Sequence, residues 1–135
     1  PFTTLVPHLG DLFGYVLADI PGLISGAHTG KGLGHTFLRH VTKTKMLLHL
    51  VSFEYEDPLE QYYIIRNELS SYSKDLEEKE EWIIFTKKDL ANKEQLEKVQ
   101  EFIDSSSKRV FIISTESGEG VKNLQDTLVE YLRAT

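Results

Sequence analysis

Apolar residues along this chain follow two rhythms. Nearly unbroken runs at Phe13 to Ile20, Met46 to Phe53, Trp82 to Phe85 and Val110 to Ile113 have the length and the branched or aromatic content of buried strands. Between and after them, apolar positions recur three and four residues apart, which places them on one face of a helix: Phe37, Leu38 and Val41; Leu59, Tyr62, Ile65, Leu69 and Tyr72; Leu96, Val99 and Ile103; Val121, Leu124, Leu128 and Tyr131. Start signals agree with the second and third groups. Asp57 can cap a helix with Pro58 in its first turn and Glu60 completing a capping box, and Asn92 with Gln95 forms a second such pair. Ser117-Gly118-Glu119-Gly120 turns the chain into the last helix, and Ile24 to Gly34, with glycines at 26, 30, 32 and 34, is too glycine-rich to be regular. The charged run Lys74 to Glu81 reads as a solvated loop or a fraying helix end.

Apolar strands alternating with amphipathic helices predict an α/β fold: a three-layer arrangement with a mostly parallel sheet, helices on both faces and right-handed crossovers. A length of 135 residues suits a single domain spanning 1–135.

Composition narrows the setting. Without cysteine there are no disulfides and no thiolate metal sites, and a reducing compartment, the cytoplasm, is the default expectation. The run Met46 to Phe53 is far short of the roughly 20 residues that span a bilayer, so no membrane span is expected. A net charge of −6 argues against wrapping nucleic acid, so DNA is not an expected partner. The charge is unevenly spread: residues 20–53 hold no acid, four bases and four of the five histidines, whereas residues 54–104 carry fifteen acids against seven bases. Two explanations of the acid-free zone stand side by side, keeping negative charge away from bound phosphates or touching RNA. The histidines have no metal-ligand spacing, and His49 reads as a strand histidine with a satisfied hydrogen bond.

Three strand ends present polar residues: Asp19-Ile20-Pro21-Gly22, Thr86-Lys87-Lys88-Asp89 and Ser114-Thr115-Glu116-Ser117-Gly118. In a parallel sheet such ends share one rim, where distant residues converge on a ligand. Their types suit a nucleotide. A carboxylate after a strand can hold a metal through water, a glycine amide can meet a terminal phosphate, and a lysine stem can cover a base face. The Asp89 carboxylate could accept two hydrogen bonds from adjacent N–H groups on one edge of guanine, which adenine does not offer in that arrangement.

With these motifs in order, the chain resembles the G domain of the Obg family of translation-factor-class GTPases. Pro1 to Gly10, P-F-T-T-L-V-P-H-L-G, resembles that family's first switch; Asp19 to Ala27, with Gly32-Leu33-Gly34-His35-x-Phe37-Leu38-Arg39-His40, resembles its second. The resemblance covers the chain end to end. It implies a GTP-binding and GTP-hydrolysing switch that binds GTP and GDP, uses Mg²⁺ and acts in ribosome assembly, with a ribosomal subunit or its RNA as partner. It also implies residue roles. Thr4, in preference to Thr3, would bring its hydroxyl to Mg²⁺, and Asp19 would hold Mg²⁺ through water. Pro21 and Gly22 would belong to the nucleotide site, the Gly22 amide meeting the γ-phosphate. Thr86, Lys87 and Asp89 would form the base-binding T-K-x-D, with threonine where the family pattern has asparagine. Ser114-Thr115 would place a backbone amide on the guanine oxygen. Leu23 stands where many GTPases have a water-orienting glutamine, so another group must position the nucleophile.

The phosphate-binding signature G-x-x-x-x-G-K-[ST] does not occur in residues 1–135. The expectation is that it precedes Pro1, together with a strand lying between the Phe13–Ile20 and Met46–Phe53 strands. On that reading the chain is an N-terminally truncated G domain, inactive in isolation, whose complete protein is a GTPase. The alternative is a non-catalytic interaction module that docks by its switch surface without nucleotide.

Overall fold

The computed structural model describes residues 8–12, 15–19 and 42–134, with side chains from residue 42 onward. The described chain forms two compact units, the first drawn from Pro1–Lys45 with Tyr63–Lys79 and the second from Met46–Tyr62 with Glu80–Thr135.

In the first unit, strands β1 (His8–Leu12) and β2 (Tyr15–Asp19) form an antiparallel hairpin in which His8 faces Asp19 and Leu12 faces Tyr15. β2 is the strand expected within Phe13 to Ile20. β1 is an addition: with Gly10 and Asp11 at its centre it has little strand propensity of its own, and the ladder to β2 supplies what its sequence lacks. The predicted helix from His35 lies outside the described residues. Helix α1 (Pro58–Tyr72), of which Pro58–Tyr62 belongs to the second unit and Tyr63–Tyr72 to the first, starts at Asp57, whose Oδ1 accepts from the Glu60 amide at 3.2 Å, and none of its five predicted inward residues is exposed. The charged run that follows is not a solvated loop. Lys74–Glu78 is a short helix, α2, because the Ser73 hydroxyl accepts from the Leu76 amide at 3.1 Å and Leu76 is fully buried. Arg66 ties α2 to α1 by donating to the carbonyls of Leu76 at 3.2 Å and Glu77 at 2.5 Å, and Lys79 donates to those of Thr42 and Thr44.

The second unit contains a parallel three-stranded sheet in the order β3 (Leu47–Ser52), β4 (Glu81–Thr86), β5 (Arg109–Ile112), with Leu47 opposite Glu81 and Trp82 opposite Arg109. Helices α3 (Lys93–Ser105) and α4 (Val121–Ala134) complete the α/β architecture. Central β4 is buried on both faces. Ile83 and Phe85 pack with Val51, Phe53, Tyr62 and Val99, while Trp82 stacks near Phe111 and Tyr131 at centroid distances of 5.5 and 5.3 Å. The α3 start is the reciprocal box foreseen: the Asn92 carboxamide accepts from the Gln95 amide at 2.8 Å and Gln95 Oε1 from the Asn92 amide at 2.9 Å. β3 is an edge strand with Leu50 60% exposed, because no described strand pairs with its outer side. Among the described residues, no helix is long and apolar enough to cross a membrane.

Candidate functional site

Two loops meet at the carboxyl ends of β4 and β5. The ladder runs past the regular strands, with the Ile113 amide donating to the Phe85 carbonyl at 2.9 Å and the Lys88 amide to the Ile113 carbonyl at 3.0 Å. To make the second bond the chain must turn sharply after Thr86. Lys87 takes the left-handed conformation (φ 62°), the sole non-glycine among the described residues to do so, and Lys88–Leu90 form one 3₁₀ turn. A side chain held in that region carries strain that persists where the surroundings over-determine it, as binding sites do.

This turn presents Asp89 to Ser114. The Ser114 hydroxyl donates to Asp89 Oδ1 at 2.8 Å and accepts from the Ser117 amide at 3.2 Å, so it is satisfied in both directions although Ser114 is only 2% exposed. The Ser114 amide donates to the Glu119 carbonyl at 2.9 Å and the Gly118 amide to the Ser114 carbonyl at 2.8 Å, closing the loop on itself. The Thr115 and Glu116 amides take no acceptor among the described residues. Gly120 (φ 78°) lets the chain return against β5, where a Cβ would lie 2.6 Å from the Ile112 carbonyl oxygen. An ion pair of Lys88 with Glu119 joins the two loops a second time.

On the other side of β4, Lys87 Nζ meets Glu54 Oε1 at 2.5 Å. The Lys87 ammonium first, and the Ser52 hydroxyl after it, hold the Glu54 carboxyl below the usual carboxylate range. The Thr86 hydroxyl, expected to tie neighbouring loops, has no partner among the described residues; the tie is made by the Thr86 carbonyl, which accepts from the Phe53 amide at 3.0 Å.

A fixed carboxylate, a strained lysine and loop amides on the rim of a parallel sheet form a set able to read the edge of a planar base. Sequence comparison points the same way. A family model described as "50S ribosome-binding GTPase" matches residues 1–88. Proteins named GTPase Obg are similar over most of the chain: that of Microcystis aeruginosa is 44% identical over 92% of this chain and 38% of its own length. That of Thermosipho africanus is 43% identical over 98% and 32%, and that of Prochlorococcus marinus 45% over 92% and 40%. The chain belongs to the Obg family of GTPases. It spans between about a third and two fifths of the length of these Obg relatives.

Of the residues singled out in the sequence, the structure brings together Thr86, Lys87 and Asp89 with Ser114 and Thr115. Asp19 is the last residue of β2, with its side chain outside the described residues; Thr4, Pro21, Gly22 and Leu23 also lie outside them. Sequence reasoning missed Ser52 and Glu54, which no motif marks. It saw Gln95 only as half of a capping box. The buried Gln95 Nε2 also donates to the carbonyls of Phe53 (3.3 Å), Tyr55 (2.9 Å) and Glu56 (3.3 Å), fixing the loop that carries Glu54.

Proposed function

We propose that the chain is the switch and base-binding part of a cytoplasmic GTPase that cycles between GTP and GDP and acts in ribosome assembly on a ribosomal subunit or its RNA. The observation that carries this reading is the Ser114–Asp89 hydrogen bond at the rim of β4 and β5 in a chain of the Obg family. Asp89 accepts from two adjacent N–H groups of guanine, Lys87 covers one face of the base, and a backbone amide at Ser114-Thr115 meets the guanine oxygen. The Thr115 amide suits that role, since the Ser114 amide is committed to Glu119. Thr86 closes the motif by its backbone bond to Phe53.

By their resemblance to the family's second switch, Pro21 and Gly22 serve phosphate binding, the Gly22 amide being the one that would meet the γ-phosphate. Thr4 and Asp19 offer a hydroxyl and a carboxylate, hard oxygen donors of the kind Mg²⁺ takes. When bound, Mg²⁺ neutralises charge that develops on the phosphates. Leu23 leaves the attacking water to another group, because a leucine neither donates to nor accepts from it.

A second reading is an interaction module that docks without nucleotide. Fluorescent-nucleotide titration of the protein with its full native sequence separates the two. Tight GDP binding that a hundredfold excess of ADP does not displace, with GTP turnover in Mg²⁺, supports the first; no binding of either nucleotide supports the second.

A further inference from the structure

Two side chains in the turn after β4 are tied to opposite neighbours. Asp89 is held from the β5 side, by Ser114 at 2.8 Å, and Lys87 from the β3 side, by Glu54 at 2.5 Å. Glu54 follows β3 by two residues, in a loop whose position is heavily determined. The Glu54 amide donates to Ser52 Oγ at 2.9 Å, and the same hydroxyl donates to Glu54 Oε1 at 3.2 Å. Phe53 is bonded to Thr86, and Gln95 clamps the carbonyls of Phe53, Tyr55 and Glu56 from the start of α3.

An exposed carboxylate on a fixed loop therefore meets a lysine that leaves the backbone in a constrained, left-handed conformation. Ion pairs this exposed, with side chains 49% and 55% accessible, add little to fold stability. Their effect is on direction. A long lysine side chain loses much rotamer freedom when a ligand orders it, and a lysine already held by its counter-ion loses less.

We propose that Glu54 is a positioning residue of the base site: its ion pair holds the Lys87 stem ready to lie along one face of guanine, while Ser114 holds Asp89 for the base edge. This rests on the base-binding reading given above, and the experiment is arranged so that the two fail separately. In the protein with its full native sequence, GDP affinity is measured by displacement of a fluorescent GDP analogue for wild type, Glu54→Gln, Glu54→Asp, Lys87→Ala, the Glu54→Gln/Lys87→Ala double variant and Asp89→Asn. Circular dichroism confirms that each is folded.

The proposal expects Glu54→Gln to weaken GDP about fivefold, Glu54→Asp to recover part of the loss, and Glu54→Gln to change affinity by less than about twofold once Lys87 is alanine. Equal losses in both backgrounds show a structural effect that bypasses Lys87 and overturn the proposal. Unchanged or tighter binding by Glu54→Gln in the presence of Lys87 also overturns it, leaving the base-binding reading intact if Asp89→Asn still weakens GDP. Absence of GDP binding by wild type, or indifference to Asp89→Asn, overturns both.

Discussion

Glu81 opens β4 with its side chain entirely shielded from solvent, at the end of the sheet opposite the candidate base site. Its Oε1 accepts from the Tyr62 hydroxyl at 3.1 Å and the Lys108 ammonium at 2.8 Å, and its Oε2 lies 3.1 Å from His49 Nδ1. Burial by itself pushes the carboxyl pKa up. The hydrogen bonds and charges of His49 and Lys108 outweigh it, and the pKa falls to about 2 from an ordinary 4.5. A carboxyl whose folded pKa lies below its unfolded value stabilises the fold fully above the unfolded pKa, and that contribution is lost as pH falls through the folded one. The window here runs from about pH 4.5 down to about 2. At roughly 1.4 kcal/mol per unit, the shift corresponds to about 3 kcal/mol. Glu81→Gln keeps the shape but leaves Tyr62, Lys108 and His49 facing a neutral amide. Removing one partner of a buried pair costs about 3–5 kcal/mol, and Lys108, with its side chain 32% accessible, can turn to water, so the lower end applies. Urea unfolding at pH 7 should show that loss as a lower midpoint with an unchanged slope. Repeated at pH 5, 4 and 3, it should show the gap closing toward acid. A variant within about 0.5 kcal/mol of wild type at pH 7, or a gap that stays constant down to pH 3, would refute the reasoning.

The glycines of the loop after β5 should separate by environment. Both have positive φ, but a methyl at Gly118 meets nothing within 4 Å while one at Gly120 lies 2.6 Å from a backbone oxygen. Gly118→Ala should therefore cost only the left-handed penalty of about 1–2 kcal/mol and Gly120→Ala clearly more, read as thermal midpoints; equal losses would contradict the structure. Gln95→Leu should cost about 2–3 kcal/mol by ending the capping box and leaving three carbonyls without their donor, and limited proteolysis should cut the 53–57 loop faster; unchanged cleavage would deny the clamp.

Where a segment's own residues decide its structure, the sequence was legible. The stripes of α1, α3 and α4 are set by 3.6-residue periodicity, and the Asn92–Gln95 box is a contact between residues three apart. β4 could be read because an unbroken apolar run suits a strand covered on both faces. Lys74 to Glu81 could not. A five-residue helix is too short to show a period, so charge density suggested a solvated loop or a fraying helix end, whereas the Ser73 cap and the single buried Leu76 decide the outcome. Glu81 looked like the last of several solvated acids, and its partners come from positions 49, 62 and 108, separations that no local pattern encodes. The same division runs through the site. Asp89 and Ser114 stand in recognisable strand-end motifs, but Glu54 is recruited across the sheet by a loop that a glutamine on another helix holds in place.

The central claim is that Asp89, fixed by Ser114, selects guanine. Asp89→Asn in the protein with its full native sequence tests it most directly, by titration with GDP and with xanthosine diphosphate, whose edge offers an acceptor where guanine has a donor. Two hydrogen bonds to a charged acceptor are worth roughly 1.5–3 kcal/mol each, so the variant should lose about two or more decades of GDP affinity and bind the xanthosine nucleotide more tightly than wild type does. GDP affinity unchanged by the substitution, with no gain for xanthosine diphosphate, would contradict the account.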